Sequence, residues 1–188
     1  DLQVEGIVDD ETMLPDRVLA AARAGSVAYA CPSKKAGRYS GVSPEMIRSL
    51  HEDGGFDASF VKADGARMRW IKAPEEGEPL LVPGADVVIP VVSARAIGEP
   101  LEERVAHRIE RVAAAAGVAP GKLLTPEAVG RLLASDAGAL QGTAGARVAP
   151  VINMVDNDRQ EELASRRDCG DRNDIALRSG SSLLSATI

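Results

Sequence analysis

Residues 86–92 (DVVIPVV) constrain the fold of this chain more than any other stretch. So short and nearly continuous a run of Val and Ile reads as a strand buried on both faces, as in a sheet covered by helices. Pro90 inside it has no N–H to give a neighbour, so an edge position or a bulge is expected there. Residues 4–8, 26–30, 58–63 and 146–154 also read as strands, the last with a second internal proline, Pro150. Helical spacing falls between them. Residues 16–24 form one candidate helix, stopped by Gly25. Ser43, Pro44 and Glu45 open another, with a capping hydroxyl, a proline in the first turn and an early acid. Gly54 and Gly55 close it. Leu101, Val105, Ile109, Val112 and Ala116 predict a helix over 101–116, ended by Gly117. Thr125, Pro126 and Glu127 repeat the opening signature for a helix to about Leu133. A helix over 159–166 and a short strand over 174–177 complete the pattern. Residues 168–182 are polar and rich in Gly and Ser, a composition that predicts poor order. Strands alternating with helices predict an α/β fold with a mostly parallel sheet.

Composition narrows the function. The chain has 188 residues, 45% of them hydrophobic, which suits one globular α/β domain over 1–188. Its only aromatic residues are Tyr29, Tyr39, Phe56, Phe60 and Trp70, so the core must be aliphatic. A net charge of -6 argues against nucleic acid or an anionic membrane as partner. Cys31 and Cys169 form no C-x-x-C pair. They read as free thiols of a reducing compartment, with one disulfide left open. No apolar run approaches the ~20 residues of a spanning helix, and the first residues are acidic rather than basic. A cytoplasmic protein is expected.

Residues 61–83 (VKADGARMRWIKAPEEGEPLLVP) carry the densest chemistry. They follow an expected strand, and ligands of open α/β sheets bind beyond the carboxyl ends of strands. Asp64 there can hold Mg²⁺ beside a bound phosphate. Arg67, Arg69 and Lys72 can meet anionic oxygens. The alternative is a solvated turn laced with surface ion pairs. His107 and His51 are the only histidines, and no H-x-x-H, C-x-x-C or H-E-x-x-H spacing marks a metal site.

The same stretch resembles the YqeC family, whose members share a segment of the form V-E-A-D-G-A-R-x-x-x-L-K-A-P-x-x-x-E-P. Val61, Ala63, Asp64, Gly65, Ala66, Arg67, Lys72, Ala73, Pro74, Glu78 and Pro79 match it. Lys62 stands where the pattern has Glu, and Gly77 where it often has His. Downstream, residues 86–92 resemble a D-L-V-I-G-V-V strand. His107, Arg108, Glu110 and Arg111 resemble H-R-P-E-R, and residues 124–127 resemble L-T-P-E. Asn153 and Asp156 fall in a segment like L-N-K-A-D. Upstream, residues 37–41 and 43–45 resemble G-K-L-x-G and P-E. The likeness runs from about residue 37 to 156.

The resemblance implies a three-layer α/β sandwich of the P-loop NTPase kind. It implies an accessory protein that matures a selenium-dependent molybdenum hydroxylase, with that enzyme or its maturation proteins as partners. Mg²⁺ with ATP or GTP would be the cofactors. Asp64, Arg67 and Lys72 would be catalytic, with Asp64 on the metal. Gly65, Glu78, His107, Arg108, Asn153 and Asp156 would line the ligand site. Asn153 and Asp156 also resemble the N-K-x-D base-reading motif of GTPases, with Met154 in place of Lys. The G-x-x-x-x-G-K-[ST] loop that opens such proteins does not occur in this sequence. Residues missing ahead of Asp1, or loss of the loop, would each account for that, and poor nucleotide binding or none is the expectation for this chain. A non-enzymatic docking or scaffold protein is the alternative.

Overall fold

The computed structural model describes residues 3–23 and 25–165. The chain divides in sequence between Ser59 and Phe60 into two compact units. The described residues hold two cores, one in each unit.

In the first unit, Val4–Val8 (β1), Leu14–Ala22 (α1) and Ser26–Pro32 (β2) make a parallel β-α-β turn, with Val4 beside Ser26 and Val8 beside Ala30. Tyr39–Ser40 (β3) folds back antiparallel onto Pro32 and Cys31, and Pro44–Gly54 (α2) follows. Asp10 prepares α1. Its carboxylate accepts the N–H groups of Thr12 at 2.9 Å and Met13 at 3.2 Å. These bonds, with the Thr12 hydroxyl foremost, hold the Asp10 carboxyl below its ordinary range. Ser43 caps α2 as expected, its hydroxyl accepting the Met46 N–H at 3.3 Å. Gly55 ends that helix at φ +61°, a backbone angle that favours glycine. Ile7, Leu14, Val18, Leu50 and the free thiol Cys31 fill the core.

The second unit contains Ile71–Lys72 (β4), Val87–Val88 (β5), Val91–Ser93 (β6), Ala106–His107 (β7), Ile109–Ala116 (α3), Pro126–Leu133 (α4), Arg147–Val148 (β8), Val151–Asn153 (β9) and Asp158–Ser165 (α5). Three parallel pairs form: β4 with β7, β5 with β8, and β6 with β9. The Ser93 N–H donates to the Trp70 carbonyl at 3.0 Å and ties β6 to the start of β4. The architecture is thus mixed α/β with several small sheets, parallel except at β3.

The apolar run over 86–92 forms its strand in two pieces, β5 and β6, and its partner over 146–154 is broken alike into β8 and β9. Val88 lies beside Val148 and Val91 beside Val151, so the register is unchanged across the break and Pro90 is level with Pro150. N–H groups of Arg147, Ala149 and Val151 donate to the carbonyls of Asp86, Val88 and Pro90 at 3.0, 2.9 and 2.8 Å. Pro90 removes only the rung its own N–H would have supplied. The ladder runs past the proline without a bulge.

Two expectations need correction. Residues 58–63 are not a strand. Phe60 is exposed, and the stretch finds no strand partner, so its alternation has no sheet face to fill. The helix expected over 101–116 begins only at Ile109. Leu101 and Val105 are fully buried, but in turns, and β7 pairs with β4 before Arg108 turns left-handed at φ +64°. Within the described residues the helix over 159–166 is seen as α5. The strand over 174–177, the segment 168–182 and Cys169 lie outside the described residues.

Thr125 caps α4 as expected, accepting the Ala128 N–H at 3.2 Å, and Gly117 ends α3 at φ +65°. α3 and α4 close over Ile71, Val92, Val105 and Leu124 with Val112, Ala128, Val129 and Leu132. The core is aliphatic, with Trp70 only packed against it. No helix among the described residues is long and apolar enough to cross a membrane. Leu132→Ala should cost about 2–5 kcal/mol in a urea titration, because it empties the centre of this core. Thr125→Ala should cost only about 1 kcal/mol, because it removes one cap bond.

Candidate functional site

Alternation along β4 places the site. Ile71 and its partner Ala106 are buried in the core, so Lys72 and its partner His107 take the opposite face. There the side chain of Lys72 is only 12% exposed. Its ammonium lies 2.6 Å from Asp64 Oδ2 and 2.9 Å from Glu78 Oε2.

The loop after β4 brings Glu78 there. The Glu78 N–H donates to the Glu75 carbonyl at 3.0 Å, and Gly77 takes the turn at φ +80°. Gln141 Nε2 donates to the Glu75 and Glu78 carbonyls at 2.7 and 2.6 Å, and Arg111 donates to the Pro74 carbonyl at 2.9 Å. The Glu78–Pro79 peptide is cis, and the Leu80 N–H donates to the Ala63 carbonyl at 3.3 Å. That bond carries the chain past Asp64.

Arg108 closes the cluster. Its guanidinium grips Glu78 with two bonds, Nη1 to Oε2 at 2.7 Å and Nη2 to Oε1 at 2.9 Å, and reaches Glu75 Oε1 at 2.6 Å. The Arg108 fork, aided by Lys72 and opposed by burial, holds the Glu78 carboxyl at about 2, against an ordinary 4.5. Arg108 is pushed upward in turn, first by its bonds to Glu78. Burial, then the charges of Arg108, Arg67 and Lys72, keep His107 below its ordinary value. A proton on this imidazole is therefore disfavoured.

A cavity of about 290 Å³ opens beside the cluster. Asp64, Gly65 and Lys72 line it, together with Ser93 and Asn153 at the ends of β6 and β9 and an apolar wall that includes Leu132. Segments far apart in sequence thus share one opening. Glu78 and Arg108 belong to the ion cluster instead, and the charges of that cluster act on His107. Arg67 does not join either. It sits at φ +50° on an exposed turn, next to Met68 at φ +64°. Asp156 is exposed and paired with Arg95 at 2.8 Å. Among the described residues no three His, Cys, Asp or Glu side chains converge on a metal position. Asp64 is a lone carboxylate whose Oδ2 already holds an ammonium. It fits Mg²⁺ only where a phosphate supplies further oxygens.

Sequence reasoning passed over Glu75 and Gln141. The acidic run at 75–78 hinted at the first. Nothing marked the second, because its contacts lie more than sixty positions away in the chain.

A family model described as "YqeC protein" matches residues 3–110. Asp64, Lys72, Glu78, His107 and Arg108 fall inside that span, and Asn153 and Asp156 beyond it. A protein of Escherichia coli (strain K12), described as "Uncharacterized protein YqeC", is 30% identical over 117 residues. The alignment covers 61% of this chain and 44% of that relative, so the chain spans less than half the relative's length. No solved structure matches.

Glu78 makes stability depend on pH. Its folded value of about 2 lies below the ordinary 4.5, so its contribution is complete above 4.5 and drains away as the pH falls through 2. The shift corresponds to roughly 3 kcal/mol, which partial exposure reduces to about 2 kcal/mol. Urea unfolding of wild type should therefore weaken steadily from about pH 5 to pH 2. Glu78→Gln should be less stable than wild type at pH 7 and nearly equal to it at pH 2. A constant difference across that range would refute the clamp.

Proposed function

The chain belongs to the YqeC family, and from that premise we propose that it is a nucleotide-binding accessory protein for maturing a selenium-dependent molybdenum hydroxylase. The observation that carries the reading is the cavity that Asp64, Gly65, Lys72 and Asn153 share. A volume of about 290 Å³ is close to the ~300 Å³ at which small-ligand pockets begin. In this reading the small parallel sheets belong to a P-loop NTPase-like α/β architecture.

Each residue then has a defined task. Lys72 exchanges its bond to Asp64 for one to a phosphate oxygen, and keeps its bond to Glu78. Asp64 is released toward the phosphate, where it would hold Mg²⁺. When bound, Mg²⁺ neutralises phosphate charge and polarises the phosphoryl group. Asn153 offers an amide to the ring of the ligand. Gly65 puts no side chain over the approach to Asp64. Glu78, Arg108 and Gln141 hold the loop and contact no ligand.

One observation favours a second reading, a docking protein without turnover. Lys72 and Arg108 already rest on carboxylates, while Met68 is 94% exposed between Arg67 and Arg69. Calorimetry with ATP and GTP, each with and without Mg²⁺, separates the two. Wild type, which lacks the phosphate-binding loop, should bind a nucleotide only weakly, Lys72→Met should weaken binding further by about tenfold or more, and Asp64→Asn should abolish the Mg²⁺ dependence. Circular dichroism confirms that both variants fold. Absence of binding to either nucleotide would favour the docking protein.

A further inference from the structure

The cavity carries a charge asymmetry that the ion cluster does not explain. Four charged side chains line it: Lys62, Asp64, Arg69 and Lys72. Lys72 already rests on the carboxylates of Asp64 and Glu78. Lys62 is exposed and lies over Gly65, its Nζ about 4.0 Å from where a Cβ on that glycine would stand. Arg69 gives Nε to the Glu103 carbonyl and Nη1 to the Arg67 carbonyl at 3.3 Å. Among the described residues neither cation has a carboxylate partner. Both carbonyl bonds orient the Arg69 guanidinium without neutralising it.

Most of the remaining lining is apolar and includes Val92 and Leu132. An occupant that suits both must carry negative charge at one end and an apolar or aromatic body at the other. Resting on the nucleotide reading above, we propose that Lys62 and Arg69 form an anion-gathering rim to this cavity. They take the outer phosphates of a polyphosphorylated ligand while Lys72 meets the inner one. This makes Lys62 and Arg69 binding residues, and it sets specificity by phosphate number.

Calorimetry with ATP, ADP, AMP and inorganic tripolyphosphate tests the proposal on wild type, Lys62→Ala, Lys62→Glu and Arg69→Gln. Lys62 makes no contact that folding needs, and a thermal melt identifies any loss of fold in Arg69→Gln. Affinity should fall from ATP to ADP to AMP. Lys62→Ala and Arg69→Gln should each weaken ATP and tripolyphosphate about fivefold, and Lys62→Glu more, with AMP nearly unchanged. The differences should shrink as salt rises from about 0.05 to about 0.5 M, because the screening length, about 10 Å at 0.1 M, shortens. Wild-type ATP binding that none of the three substitutions alters would overturn the rim and leave the nucleotide reading intact. Tripolyphosphate binding that depends on Lys62, with no nucleotide preferred over it, would uphold the rim and overturn the nucleotide reading. If neither class binds, both fall.

Discussion

Glu78 lies between two cations, and the geometry around the cavity depends on that position. Its carboxylate takes the fork of Arg108 and the ammonium of Lys72 at distances from 2.7 to 2.9 Å. Partial burial alone would penalise all three charges. What offsets the penalty is that each has a hydrogen-bonding partner of opposite sign. The bonds also act on the backbone. Arg108 has φ +64°, an angle that costs a non-glycine residue about 1 kcal/mol or more. The fork grips the loop after β4, while the residue that carries it separates β7 from α3. One side chain thus fixes the start of a helix and the end of a loop.

The second constraint is the pair of interrupted strands. Proline is tolerated in a strand that has one partner, and the pieces on either side of Pro90 belong to two-stranded sheets. Here Pro90 and Pro150 are level, and donors on one strand still meet carbonyls at Asp86, Val88 and Pro90 on the other. Keeping register across the break delivers Ser93 and Asn153 side by side at the ends of β6 and β9. Both line the cavity. The hydrogen-bond ladder therefore reaches the site directly, and a slip of one residue would turn Asn153 away from it.

How much of this the sequence disclosed depends on the range of each interaction. Caps at Ser43 and Thr125 were legible, because a hydroxyl, a proline and an acid act within one turn. The aliphatic core followed from the scarcity of aromatic residues. Residues 58–63 misled, because alternation implies a strand only where a partner exists. Residues 101–108 misled for a related reason. Leu101 and Val105 have helical spacing, but β4 competes for Ala106 and His107 and wins. In the site, Asp64 and Lys72 could be found from their motif. Their direct contact could not, nor could the choice of Arg108 over Arg67 as the partner of Glu78. That choice depends on which charged side chain is carried to the loop from thirty positions away.

Saturation of the cluster need not exclude a ligand. Lys72 has two carboxylate partners, and Glu78 has two cationic ones. Breaking the contact between Lys72 and Asp64 therefore leaves neither Lys72 nor Glu78 bare. Asp64, the one group stranded, has a side chain 28% exposed and can recover water. A structural ion pair with no second partner would resist such exchange, because separating it buries an unpaired charge. The arrangement places its weak link at the cavity and its strong link, the fork on Glu78, away from it. An anion entering at Asp64 would displace a contact that the network can spare, while the clamp that shapes the loop stays closed.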